Sequence, residues 1–334
     1  MSGRAAIAAL ALVLPALLGA CSGGRDALTI YSGRDEALVE PLLERFAEDT
    51  GIPIDVRYGD SGDLALLLAE EGDDTPADVF FSQSPGSVGF LASRGLLRRL
   101  DGDVAGAVEA RWRGRDDLWV GLSARQRVLV YDSESVDEAD LPASVFDLTD
   151  ERYAGKVGIA PSNASFQDFV TAMRQVHGDD AARAWLRAMA ANESPTFPDN
   201  SSIVAAVGRG EIPFGLVNHY YNYRALEEDP GAPSRNYVFP DRDVGSILLE
   251  TTASVLASTD KAEEANRFLE FMLSRESQSY FARETFEYPL AAGVEPAPAL
   301  PPLDVASAPD VPLTTLGDGF RATADMIAES GLEG

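Results

Sequence analysis

From residue 27 onward, short apolar runs alternate with longer segments whose apolar residues recur every three or four positions. "ALTIYS" (27–32) reads as a buried strand. "DEALVEPLLERFAEDTG" (35–51) then places Leu38, Leu42 and Phe46 on one helical face and closes on glycine. "IPIDVRY" (52–58) alternates as a second strand, and strand–helix–strand is the seed of a parallel α/β sheet. The spacing next predicts helices over 63–72 and 88–100 on either side of a strand over 76–83. A second series follows, with strands over 155–162 and 212–221 and helices over 165–178, 180–193 and 201–211. Two longer extended runs, 119–132 and 246–257, bracket that series. They imply two lobes joined by two strands, with a cleft between them. Amphipathic helices over 261–273 and 276–284, a Pro-rich loop over 295–303 and a helix over 316–331 complete the chain.

The first twenty residues do not belong to this pattern. An early arginine and an apolar run from Ala5 to Leu18 make a secretory leader, too short to be a spanning helix. "LLGAC" resembles the bacterial lipobox and ends on Cys21, the only cysteine. Cys21 is therefore expected to carry a lipid, with residues 21–26 as a flexible tether. A mature chain with one cysteine forms no internal disulfide, so packing must hold it together.

Composition excludes more than it selects. The 334 residues carry 54 acidic and 27 basic side chains, a formal net charge of −27. Nucleic-acid binding needs clustered Lys and Arg, so no such partner is expected. The same acidity would draw cations into a cleft, and it also suits a surface adapted to salt. With only His177 and His219, there is little material for a Ser-His-Asp or Cys-His arrangement. No G-x-S-x-G elbow, P-loop or GxGxxG is present, and the chain is not expected to be an enzyme.

The candidate chemistry lies in "VNHYYNYRALEE" (217–228), where Tyr220, Tyr221 and Tyr223 crowd behind His219. A phenol is normally neutral at pH 7, but a trivalent cation can displace its proton and bind the hard oxygen. Neighbouring side chains on a strand point to opposite faces. Tyr220 and Tyr221 could share an ion only if the chain leaves the strand there, so packing and ligation both stay open. Two further stretches offer N–H groups to an anion: Ser162, Asn163 and Ala164 before one helix, and Asn200 with Ser201 before another, although for either one alone an ordinary helix cap is the commoner case. Arg125 and Arg127 share a strand face and could add positive charge, although ion pairing is the commoner fate of such residues.

Taken in order, "LTIYSGRDEALVEPLLERFAEDTGI", "AEEGDDTPADVFFSQ", "SARQRVLVYD", "KVGIAPSNASFQDFVTAM", "GLVNHYYNYR" and "FARETFEYPL" resemble the bacterial periplasmic ferric-iron-binding proteins. These are substrate-binding components of ABC importers. The resemblance implies an α/β, two-lobed type II periplasmic-binding fold, with two mixed, mostly parallel sheets flanked by helices and joined by two hinge strands. One lobe would comprise 27–123 plus about 251–290, the other 124–250 plus about 300–334. It also implies that Tyr220 and Tyr221 bind Fe(III) as cargo, with Asp35 or Glu36 at the position where many relatives have a histidine. Gln83 stands where some members have a ligating Glu, and amides are poor Fe(III) ligands. A synergistic carbonate or phosphate would fall to Ser162, Asn163, Ala164, Asn200, Asn218 and Arg125. The implied partners are an ABC permease and its ATPase, reached by a monomer that its lipidated cysteine anchors to the cell membrane. The competing reading is a lipoprotein of the same fold for an oxyanion or small organic solute, in which the tyrosines merely wall the cleft.

Overall fold

The computed structural model describes residues 27–332, so the expected leader, Cys21 and the tether lie outside the described residues. The first series runs β1 (Leu28–Ser32), α1 (Glu36–Thr50), β2 (Ile54–Tyr58), α2 (Ser61–Glu71), β3 (Val79–Ser82) and α3 (Pro85–Ala92). A short α4 (Gly102–Gly106) leads to the long strand β4 (Val120–Asp132). The second series is β5 (Val157–Gly158), α5 (Ala164–His177), α6 (Asp179–Ala191), α7 (Asn200–Gly208), β6 (Phe214–Asn218), α8 (His219–Glu228) and β7 (Ser234–Tyr237). The return strand β8 (Leu248–Val255) precedes α9 (Ala262–Leu273), α10 (Arg275–Arg283), β9 (Tyr288–Pro289) and α11 (Leu316–Ala328).

Local chemistry accounts for most of these elements. In α1 the stripe Leu38, Val39, Leu42, Leu43 and Phe46 is buried, Asp35 caps the start, and Gly51 closes the end at φ 71°. Phe46 meets Phe268 edge-on at 5.2 Å and ties α1 to α9, a contact worth about 1 kcal/mol beyond area burial. Helix α3 departs from its expected span of 88–100. Ser84 caps it, Pro85 occupies the first turn, and it ends at Ala92. Gly95 then takes a left-handed φ of 71°, which frees the following residues to extend and pair Leu97 with Leu256. Strand β5 is shorter than the expected 155–162, because Ile159 already leaves β6 to bridge to Thr196.

Strand order is β2-β1-β3-β8-β4-β6-β5, with β7 and β9 also paired to β4. The expectation of mostly parallel sheets needs correction. Between the named strands, pairing is parallel for β1 with β2, β1 with β3 and β5 with β6, whereas β3–β8 and every pairing of β4 are antiparallel. Crossover helices impose parallel pairing within each series. Strands β4 and β8 instead carry the chain out of the first series and back, so they run in opposite senses. β4 changes partner in mid-strand: Val120–Gln126 lie against β8, and Arg127–Tyr131 against β6. Residues 126 and 127 thus mark the passage from one sheet unit to the other. Helix α11 touches both units. Leu316, Met326 and Ile327 enter the core shared with α5 and α6, while Phe320 packs 5.0 Å from Phe90 of α3.

Candidate functional site

Strand β6 ends at Asn218, three residues before the expected limit, and α8 begins at once with His219. The change of geometry decides what Tyr220 and Tyr221 can do. On a strand their side chains would point to opposite faces, but on a helix successive residues are turned by only about 100°. Both rings therefore leave α8 on the same side and stack, with centroids 4.2 Å apart and planes 28° apart. Tyr220 is fully buried and Tyr221 nearly so, at 7% exposure.

Their hydroxyls converge on one group from the other sheet unit. The Gln83 side-chain Nε2, just beyond β3, donates to Tyr220 Oη at 3.0 Å and to Tyr221 Oη at 3.4 Å. Gln83 is itself fixed through its main chain. Its N–H donates to Ser61 Oγ at 2.9 Å, and its carbonyl accepts from Arg125 Nη2. Ser61 Oγ donates in turn to the Gly33 carbonyl, and a Cβ on Gly33 would lie 1.9 Å from that oxygen. Glycine is required there by the close approach.

Positive charge lines this junction. Arg34 lies 5.9 Å from the Tyr220 ring centroid and is held by Glu287 through two hydrogen bonds, of 3.1 and 2.6 Å, and by Thr251 at 2.7 Å. Burial pushes the Glu287 carboxyl up, but Arg34 and Arg125 outweigh it and hold the group below its usual range. Arg125 and Arg127 are buried, and among the described residues neither forms an ion pair, contrary to the commoner fate expected for them. Arg125 Nη1 donates to Thr251 Oγ1 at 3.2 Å; Arg127 donates to the Leu216 carbonyl at 3.0 Å and to Ser165 Oγ at 3.3 Å. Burial lowers both guanidinium pKa values, that of Arg127 to about 9. For Tyr220, burial raises the phenol well above its ordinary value, with Tyr221 adding to the rise and Arg34 opposing it. Burial thus favours the neutral form of the Tyr220 phenol.

The expected anion residues fall in several separate settings. Asn163 caps α5 through Ser165 N–H at 3.1 Å, and the Ala164 N–H donates to Asp60 Oδ2 at 3.4 Å, so a carboxylate of the first series already faces this helix end. Ser162 and Asn163 line a cleft of about 950 Å³ with Asp60, Asp63 and Phe320; the tyrosines do not line it. Asn218 is buried and its amide donates to Ser165 Oγ at 3.1 Å. Asn200, at the start of α7, is 1% exposed and neither of its amide atoms has a partner. A second clasp joins the units near α3: Asp168 Oδ1 of α5 accepts from Ser84 Oγ at 2.9 Å and from Gly86 N–H at 3.2 Å.

Among the described residues, the other candidates make no hydrogen bond to the phenol oxygens. Asp35 and Glu36 are exposed, and Asp35 Oδ1 caps α1 by accepting from Ala37 N–H at 3.0 Å. His219 is a packing residue: it stacks on Tyr288 at 5.1 Å, its Nδ1 accepts from Gln126 N–H at 3.1 Å, and burial pushes it down to about 4. His177 lies exposed at the end of α5. Among the described residues, no three His, Cys, Asp or Glu side chains group as a metal site.

Comparison with known proteins bears on what this arrangement holds. A family model described as bacterial extracellular solute-binding protein matches residues 74–310. The Fe(3+)-binding periplasmic protein of Serratia marcescens is 30% identical, and the match covers 99% of this chain and 98% of that one. The major ferric iron-binding protein of Neisseria meningitidis is 31% identical, over 96% and 98% respectively. The crystal structure of iron-bound HitA from Pseudomonas aeruginosa superposes with a TM-score of 0.87 at 32% identity, covering 92% of this chain and all of that one.

Proposed function

This chain belongs to the bacterial extracellular solute-binding family, among its periplasmic ferric-iron-binding members, and from that membership we propose that it holds Fe(III) through Tyr220 and Tyr221. Its cargo is ferric iron bound for an ABC importer. The observation that carries the residue assignment is the convergence of two buried, stacked phenols on a single point between the sheet units. Fe(III) is a hard acid, and phenolate is a hard ligand that releases its proton to a strongly charged cation.

Further ligands come from the β1–α1 turn. There Asp35 keeps one carboxylate oxygen clear of its capping bond, and Glu36 is exposed beside it. A synergistic carbonate or phosphate is held at the start of α5 by Ser162, Asn163 and Ala164, with Asn200, Asn218 and Arg125. Two features support that assignment: among the described residues, the buried Asn200 amide has no partner and the Arg125 guanidinium has no carboxylate ion-paired to it. The units swing about β4 where its partners change, and cargo shifts the population toward the conformation it binds better. The protein acts as a monomer anchored by lipidated Cys21, it catalyses no reaction, and its permease reads the closed shape.

Adding Fe(III) should produce a visible phenolate-to-metal charge-transfer band. Tyr220→Phe and Tyr221→Phe keep the rings and remove the oxygens; the pair together should abolish the band and the iron affinity. Wild-type protein that stays colourless on titration refutes the assignment.

A further inference from the structure

We propose that Gln83 is a positioning residue for the two phenol oxygens: its side-chain amide gives one hydrogen bond to each, and so presets their spacing before iron arrives and stabilises them as phenolates afterwards. The proposal rests on the reading of Tyr220 and Tyr221 as ligands. Its geometry is independent of that reading.

A primary amide has two N–H groups diverging from one nitrogen, and both phenol oxygens lie within reach of that nitrogen, at 3.0 and 3.4 Å. The contact joins elements 137 residues apart, from the β3 end of one unit to the first turn of α8 in the other. Such a contact is useful only if the donor is held still. Ser61 fixes the Gln83 N–H and Arg125 fixes its carbonyl, so the residue is restrained on both sides of its Cα. Gln83 itself is 5% exposed. An N–H donor also suits either state of the phenol. It donates to a neutral hydroxyl oxygen, and more strongly to an anionic one. A carboxylate at this position would repel the phenolates unless a cation lay between them. Partners that orient ligating oxygens in this way commonly contribute roughly 10- to 100-fold to metal affinity.

The test uses Gln83→Leu and Gln83→Met, of which the second keeps the chain length without the donor. In iron-free protein, the Gln83 side-chain NH2 signal is assigned by its disappearance in both variants. That signal should shift in Tyr220→Phe and again in Tyr221→Phe. In iron-loaded protein, both Gln83 variants should lose roughly 10- to 100-fold in Fe(III) affinity. Their charge-transfer band should move to longer wavelength, because removing a donor raises the energy of the phenolate electrons. An amide signal unmoved by either phenol deletion overturns the proposal, and so do variants with wild-type affinity and band position. If wild-type protein shows no band at all, the ligand assignment fails instead, while the iron-free measurement still decides whether the amide clasps the phenols.

Discussion

Replacing Asp168 by Asn should remove one component of the protein's pH dependence. Asp168 is 2% exposed, and its Oδ1 accepts from Ser84 Oγ and Gly86 N–H across the junction, while Oδ2 has no partner. Burial pushes its carboxyl from 3.8 up to about 7, against the opposing pull of Ser84 and Arg125. A carboxyl whose folded pKa is raised keeps its proton in the folded protein while the unfolded chain has lost it. Stability from this group is therefore complete below pH 3.8 and declines as pH rises to about 7, above which the loss is constant. The decline is about 1.4 kcal/mol per pH unit, or roughly 4 kcal/mol across the window. Asn accepts the same two hydrogen bonds through Oδ1 and has no proton to lose. Buried Glu250, raised by burial to about 8, behaves in the same sense, so the informative quantity is the difference between wild type and variant. Urea unfolding at pH 4.5, 5.5, 6.5 and 8 should show Asp168→Asn gaining on wild type through the first three values and levelling off thereafter. A difference independent of pH would mean that Asp168 is ionised throughout and that Arg125 outweighs its burial. Gly86→Ala tests the same clasp, because the added Cβ would lie 2.3 Å from Asp168 Oδ1 and must displace that oxygen from its hydrogen bonds.

The crossing of α3 and α11 should be intolerant of a methyl group: a Cβ on Gly317 would lie 2.3 Å from the Gly89 carbonyl carbon. Gly317→Ala should therefore cost roughly 1–3 kcal/mol in urea unfolding and speed hydrogen exchange in α11. Arg34→Met leaves Glu287 buried without its cation and should cost roughly 3–5 kcal/mol. The double change Arg34→Met with Glu287→Leu should recover part of that loss, and equal losses in the single and double variants would contradict it.

Much of the scaffold could be read from periodicity. The strands of the first series, the amphipathic helices and the two long strands were legible because each buries one face or both, which imprints the spacing of apolar residues. Boundaries failed where an interaction distant in sequence cuts an element short. Leu97 leaves the helical pattern to pair with Leu256, and Ile159 leaves β5 for Thr196. The parallel sense of β1 with β2 was legible, but the antiparallel sense of β4 and β8 was not, since it depends on their route between the units and not on their composition.

By itself the sequence showed that phenols cluster behind His219 in a chain with only two histidines and one cysteine, and left packing and ligation both open until the family resemblance favoured ligation. It also placed Tyr220 and Tyr221 at a strand end. Only the tertiary structure decided that they converge, because β6 turns into α8 at His219 and not after Tyr221. Gln83 looked uninformative as a ligand, and Arg34 and Ser61 carried no signal. Their roles come from partners such as Glu287, 253 positions from Arg34. Local spacing records which face of an element is buried. It cannot record which hydroxyl, amide or guanidinium is brought to that face when two sheets close on each other.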